Sequence, residues 1–373
     1  MNPVVVRVIT WLPVGGIERR LVSVLPRLRD RGWDMKVVCL REEGPLAAEV
    51  RGQGIDVTVI PFASRLSPFG IWKFRRYLQR VNASIVHSHM YRSNVPATIA
   101  ARLARVPVVL AHIHNVASWD TPRQVTTDRA LAPHRTATFC VSRAVQRDVM
   151  ARLGIGEARA PILYNGIDTS LFQPDDAQRG KVRRELGAAD NQVVIVVPAR
   201  LHPQKNPAGM LEAFRRVQAS SDGSKPMLVF AGEGKLEAEL KGAAADLGGC
   251  VRFLGRRDDM PQVYNAADVV LLSSFKEGFS NAIVEALSCG KPVIASDVGG
   301  NAEAINSTTI GWIHDAGDAA KLEEQLRAAV DCGVAGLASM QRACGERASH
   351  FSLDALVDAT DAYYRKFLGA AQQ

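Results

Sequence analysis

Residues 269–296 constrain this chain more than any other stretch. An apolar run, Val269-Val270-Leu271-Leu272, leads into the loop Lys276-Glu277-Gly278-Phe279-Ser280. A helical pattern from Asn281 follows and stops at Cys289-Gly290-Lys291-Pro292, and a second apolar run, Val293-Ile294-Ala295, comes next. Strand, loop, helix, strand in this order is a βαβ unit of a parallel sheet. Ser280 or Asn281 is a helix N-cap, and Gly290 with Pro292 a stop. At about 100° per residue, Ala282, Ile283, Ala286 and Leu287 fall on one side, toward the sheet. Asn281, Glu285 and Ser288 fall on the other.

The first N–H groups of such a helix lack intrahelical partners, and its dipole favours an anion there. One carboxylate, Glu277, precedes the helix and a second, Glu285, lies about one turn in. A diphosphate at the helix start, flanked by these two groups, fits a ligand made of a sugar, a ribose and phosphates. The plain alternative is an exposed loop Glu and a solvated helix Glu.

The same alternation runs through the whole chain. Val4–Ile9, Met35–Leu40, Val57–Ile60, Ile85–His87, Val108–Ala111 and Thr138–Val141 read as strands in the first half, with a helix over Ile17–Arg31 that Pro26 could kink. Val193–Val197, Met227–Ala231, Val251–Leu254, Val269–Leu272 and Val293–Ala295 repeat the pattern, with helices over Leu211–Gln218 and Leu236–Leu247. Two doubly wound parallel sheets follow, one per half, in a chain of 373 residues that is too long for one ordinary core. The turn chemistry of Asn165-Gly166 and Pro174-Asp175-Asp176 marks the joint. The expected domains are 1–170 and 171–355.

Charge is divided unevenly. Residues 1–170 hold about 24 Lys and Arg against about 12 Asp and Glu, so about +12 of a net +8, and the remainder is about −4. A basic first half suits an anionic surface or acceptor, of which a phospholipid leaflet, a lipid-phosphate carrier and a nucleic acid are the general classes. No apolar run approaches a membrane span, and the N-terminus reads as a buried strand rather than a signal peptide. The six scattered cysteines form no C-x-x-C pair, which suits a reducing cytoplasm without structural zinc.

Other residues add to the constellation. Gly15-Gly16 links the first strand to the first helix, where a bare backbone approaches a ligand closely, although an ordinary βα turn reads the same way. It is not G-x-G-x-x-G, so a dinucleotide cofactor is unsupported. Arg200 and Lys205 follow the strand Val193–Val197, at the end of a parallel strand where ligands of such sheets bind. Arg forks onto phosphate oxygens and Lys supplies a point charge. His87, His89, His112 and His114 end two strands. His-x-His sends both rings to one face without completing a metal set. Residues 64–78 mix aromatics with cations: either they lie on an anionic membrane, or Ile71, Phe74 and Leu78 pack on the core and Lys73, Arg75 and Arg76 stay in water.

Glu277 to Ser296, E-G-F-S-N-A-I-V-E-A-L-S-C-G-K-P-V-I-A-S, resembles the two-glutamate signature of the retaining GT-B glycosyltransferases of family 4 (glycosyl transferases group 1). Gly15-Gly16-Ile17-Glu18-Arg19, Asn165-Gly166-Ile167-Asp168, Ala199-Arg200-Leu201 with Lys205-Asn206, and Gly232-Glu233-Gly234 fall in that family's order. The resemblance implies an α/β GT-B fold, two Rossmann-like doubly wound domains facing a central cleft. It also implies a final helix, about 356–373, that crosses back to the first domain; otherwise that helix finishes the second. It implies transfer of a hexose-type sugar from a UDP- or GDP-sugar to a glycan or lipid-linked acceptor, with retained configuration, in cell-surface polysaccharide or lipopolysaccharide assembly.

By the resemblance, Arg200 and Lys205 hold the diphosphate, and Glu285 accepts from the ribose hydroxyls. Glu277 contacts the sugar, with Gly278, Phe279, Ser280 and Asn281 beside it. Gly15 and Gly16 lie near the diphosphate, Arg256 near the base, and His114 near the donor sugar. The catalytic set is then Glu277, His114, Arg200 and Lys205. No metal and no cofactor are expected, the nucleotide sugar being a substrate. No nucleic-acid partner is expected either, and the location is cytoplasmic, peripheral on the inner membrane face if the basic half binds lipid. The rival readings are a glycoside hydrolase using the two Glu residues, a sugar-nucleotide epimerase of the same fold, and a catalytically silent partner in a glycan-assembly complex.

Overall fold

A computed structural model describes residues 2–117, 119, 121–220 and 225–372. The chain divides into two compact units, one of residues 1–166 with 353–373 and one of residues 167–352. Each is built around one six-stranded parallel sheet with helices between the strands. The first sheet holds β1 (Val4–Ile9), β2 (Asp34–Cys39), β3 (Asp56–Val59), β4 (Ala83–His89), β5 (Val108–Ile113) and β6 (Ala137–Cys140), in the order β3-β2-β1-β4-β5-β6. The second holds β7 (Val194–Val197), β8 (Met227–Ala231), β9 (Val251–Gly255), β10 (Val269–Leu272), β11 (Val293–Ser296) and β12 (Gly311–His314), in the order β12-β11-β10-β7-β8-β9. Taken strand by strand, the two orders are the same doubly wound topology.

Near-continuous apolar strands explain this architecture. Val194–Val197, Val269–Leu272 and Val293–Ser296 are buried along their whole length, as parallel strands covered on both faces must be. The first unit has two cores, one on each side of its sheet. One gathers Val5, Ile9, Leu25, Leu28, Trp33 and Tyr364, the other Val6, Val8, Phe74, Leu78 and Val86.

Several elements depart from expectation in detail. The first helix runs Gly16–Arg29 and passes through Pro26, which sits in its last turn. The helix expected over Leu236–Leu247 is shorter, Glu237–Ala243, and gives way to a 3-10 segment, Ala245–Cys250, with Gly248 at φ +52°. The units divide between Gly166 and Ile167 because the Ile167 N–H donates to the Phe351 carbonyl (3.0 Å), tying Ile167 into the second unit. The last helix, Leu353–Gln372, belongs to the first unit, and Gln373 lies outside the described residues. Trp33 donates to Asp361 at 2.7 Å and stacks edge-on against Tyr364, which anchors that helix. Among the described residues, no helix is long and apolar enough to cross a membrane.

Candidate functional site

In the second unit, loops at the C-terminal ends of β7 and β10 meet. After β7 the chain makes a 3-10 turn, Pro203–Lys205, and Asn206 takes the left-handed conformation (φ 54°) to cap the helix Pro207–Ala219 through Gly209. This turn lies against the β10 loop: the Phe275 N–H donates to the Gln204 carbonyl and the Gln204 side chain to the Lys276 carbonyl, both at 2.8 Å. The contact brings Lys205 onto Glu277 as a short, largely buried ion pair. Ser274 Oγ donates to the same Glu277 oxygen at 2.8 Å. Arg200 is exposed and makes no ion pair among the described residues.

The loop Glu277–Ser280 is braced from the β11 side. Gly300 N–H donates to the Gly278 carbonyl (2.8 Å). Gly299 sits at φ +59°, where a Cβ would come within 2.5 Å of the Glu277 carbonyl oxygen. A side chain there would push the loop away from Lys205. Gly232 has a similar role, since a Cβ on it would collide with the Ala199 carbonyl just ahead of Arg200.

Ser280 is the N-cap of the helix Asn281–Ser288, but its side chain makes no capping hydrogen bond. This helix differs from its expected two-sided pattern. Val284 and Ser288 are buried with Ile283, Ala286 and Leu287, and the Ser288 hydroxyl donates to the Phe172 carbonyl at 2.5 Å. Neighbouring helices cover its outer side, so Asn281, Glu285 and Ser288 do not form a solvated face. Glu285 Oε2 accepts from the Tyr264 hydroxyl at 2.8 Å. Burial raises the Glu285 pKa, and the tyrosine bond works against that rise. Arg256 stands apart, exposed in the turn after β9 and 3.7 Å from Asp258.

Gly15, Gly16 and His114 belong to the first unit. Gly15 caps the first helix with an extended backbone (φ −147°). His114 follows β5 and is buried. Strand register aligns Arg7 with His87 and His89 with His112, so these side chains share one sheet face. His89 Nδ1 lies 3.0 Å from His114 Nε2, and Arg20 Nη2 lies 3.3 Å from His114 Nδ1. All four histidines are pushed well below the ordinary pKa, first by burial and then by their neighbours: Arg20 for His114, Arg7 for His87 and His89, and the adjoining His114 for His112.

Sequence reasoning missed Arg7, Arg20, Tyr264, Ser274 and Tyr364. Arg7 alone gave a signal, as a charge inside the apolar strand Val4–Ile9. Tyr264 and Tyr364 meet partners far away in sequence, which no local pattern reveals.

Comparison with known proteins agrees with this layout. Residues 178–351 match the family described as glycosyl transferases group 1, and residues 14–171 match glycosyltransferase family 4. A D-inositol 3-phosphate glycosyltransferase of Mycolicibacterium vanbaalenii is 31% identical over 340 residues, 84% of this chain and 73% of that protein. The UDP-Gal:alpha-D-GlcNAc-diphosphoundecaprenol alpha-1,3-galactosyltransferase of Escherichia coli is 26% identical over 319 residues, 82% of each chain. The crystal structure of Anabaena HepE in complex with UDP superposes with a TM-score of 0.83 at 22% identity, covering 98% of this chain and 100% of that one. The chain belongs to the group 1, family 4 glycosyltransferases and has their α/β two-domain GT-B fold. The hydrolase and epimerase readings give way to that membership.

Proposed function

We propose that this enzyme moves a hexose-type sugar from a nucleoside-diphosphate sugar, UDP-linked in the first instance, to a lipid-linked or glycan acceptor in surface polysaccharide assembly, with retained configuration. The observation that carries this reading is the joining of the β7 and β10 loops. Arg200 stands exposed on the same β7 loop that brings Lys205 onto Glu277, and Glu277 leads into a helix start that its N-cap side chain leaves uncapped. The E. coli relative is named for a UDP-galactose donor and a diphosphoundecaprenol acceptor, and HepE was crystallised with UDP.

In this reading Arg200 and Lys205 neutralise the departing diphosphate together with the helix dipole, which is the work a divalent cation does elsewhere. The reaction then needs no metal. Glu277, released in part from Lys205 when phosphate arrives, takes the sugar hydroxyls, with the Gly278 to Asn281 backbone at its side. Glu285 Oε2 is held by Tyr264, and Oε1 has no protein partner among the described residues, which suits a ribose hydroxyl. Arg256 would serve the base.

The acceptor side suits a lipid surface. The helix Pro68–Arg80 buries Phe74, Tyr77 and Leu78 but leaves Phe69 (63%) and Trp72 (50%) exposed, with Leu66 (57%) just ahead. Lys73 lies over the Phe69 ring and Arg76 over the Trp72 ring. Aromatics flanked by cations in this way suit the headgroup region of an anionic leaflet.

A panel of nucleotide sugars scored by thermal protection tests the donor reading. UDP-sugars should raise the melting midpoint without added divalent ions, and Glu285→Ala should abolish most of that rise. Protection by no nucleotide sugar would remove the proposal, and NMR of the product anomer decides retention.

A further inference from the structure

The polar face of the first sheet contains more hydrogen-bond donors than acceptors. Arg7 Nη1 donates to the Tyr364 hydroxyl at 2.9 Å, so that hydroxyl gives its own proton to His87 Nδ1 at 2.7 Å. A neutral His87 then carries its proton on Nε2 and donates to His112 Nδ1, 3.3 Å away. The chain ends in the Nε2–H of His112, a buried atom with no partner. A second chain starts from Arg7 Nε, which donates to His89 Nε2 at 3.2 Å. His89 passes a proton from Nδ1 toward His114 Nε2, leaving His114 with its proton on Nδ1. That nitrogen faces Arg20 Nη2, which is also a donor. Moving the protons the other way only transfers the donor–donor meeting to Arg7 and His89. Arg20 Nη1 is buried and unpartnered as well.

The residues that carry the two loose donors line one cavity. Arg7, Arg20, His89 and His112 line a cavity of about 20 Å³ together with the Asn165 amide, Leu163, apolar residues of the first helix, and Leu356 and Thr360 of the last. That is room for one water-sized body. Neither arginine makes an ion pair among the described residues. The nearest carboxylate acting on Arg20 is Glu18, which is itself raised in pKa by burial. The buried Arg7 and the partly buried Arg20 face imidazoles and a phenol, and Glu18 is the one carboxylate whose charge acts on Arg20, so most of the positive charge on this face lacks a paired anion.

We propose that this cavity is a binding site for one small monovalent anion of about chloride size, held by Arg20 Nη1 and the Nε2–H of His112. The anion supplies the missing acceptor for both donors and draws Arg20 away from the His114 proton. Water satisfies the donors but leaves the charge. Nitrogens of His87, His89 and His112 lie within 4.8 Å of one another, as a metal site requires. A divalent cation there would stand beside Arg7 and Arg20 and would have to displace Arg7 Nε from His89, so the electrostatics favour the anion.

The test is thermal unfolding at constant ionic strength, with chloride, bromide or gluconate as the only variable anion. Gluconate is too large for the cavity. At about 200 mM the halides should raise the midpoint by about 3 °C over gluconate. His112→Phe and Arg20→Met, each compared with itself in gluconate, should lose that rise. Crystals grown in bromide should show an anomalous peak between Arg20 and His112, a result that stands even if the variants fold poorly. A halide response unchanged by both substitutions, a bromide crystal with only water in the cavity, or zinc retained by the histidines after dialysis would each overturn the assignment.

Discussion

The two sheets share a strand order but place their polar groups in opposite ways. In the second unit the central strands β7, β8 and β10 are apolar, and the candidate site lies in loops: Arg200, Lys205 and Glu277 all lie beyond strand ends. Its one buried strand histidine, His314, is matched on both ring nitrogens, by Ser273 Oγ and Gln325 Oε1 at 2.9 Å each. In the first unit, Arg7, His87, His89 and His112 stand within the strands, and their proton count does not close. A buried histidine with a donor and an acceptor partner is a finished piece of core. A run of them ending in loose N–H groups is a site awaiting something that accepts.

Three measurements sharpen this contrast. The largest effect is expected at the loop site. Arg200→Ala should lower kcat by about 10²- to 10³-fold, the usual cost of removing one donor to developing charge, while leaving the melting midpoint near wild type because Arg200 is exposed. An equal loss of stability would place Arg200 in the framework instead.

The second effect belongs to the strand histidines. Their folded pKa values lie well below the ordinary 6.5, so below that pH the unfolded chain takes up protons that the folded one refuses. Stability should therefore fall as pH drops below about 6.5, with a slope approaching about 1.4 kcal/mol per pH unit for each histidine. Denaturant titration at pH 7.5 and 5.5 reads it. His87→Phe should flatten the slope, and a profile unchanged by that substitution would break the comparison.

The smallest effect concerns Tyr264. Its hydroxyl holds down a Glu285 pKa that burial raises. In Tyr264→Phe that pKa should climb further, and donor binding should weaken a few-fold at pH 6 while recovering at pH 8. Isothermal titration at the two pH values decides it.

The parallel-sheet architecture was legible because fully buried strands are spelled as bare apolar runs. Val4–Ile9, Met227–Ala231 and Val269–Leu272 were read to the residue. β12 escaped notice because Gly311-Trp312-Ile313-His314 is short, starts with glycine and forms a half-buried edge. The meeting of Lys205 with Glu277 spans 72 positions and depends on two loops touching, so only the order of motifs hinted at it. The histidine network was visible as two His-x-His pairs, but its arginines and Tyr364 come from three other elements that only the fold assembles.

The helix Leu353–Gln372 has a consequence for how the molecule is made. It supplies Tyr364 to Arg7 and His87 and Asp361 to Trp33, all residues near the start of the chain or in its first sheet. A ribosome delivers residues 1–166 long before this helix emerges, so the first-made unit must wait with Arg7 and its imidazoles uncovered while all of residues 167–352 are synthesised. The usual rule that N-terminal domains fold first is inverted here: the later-made unit can close on itself before the earlier one is complete.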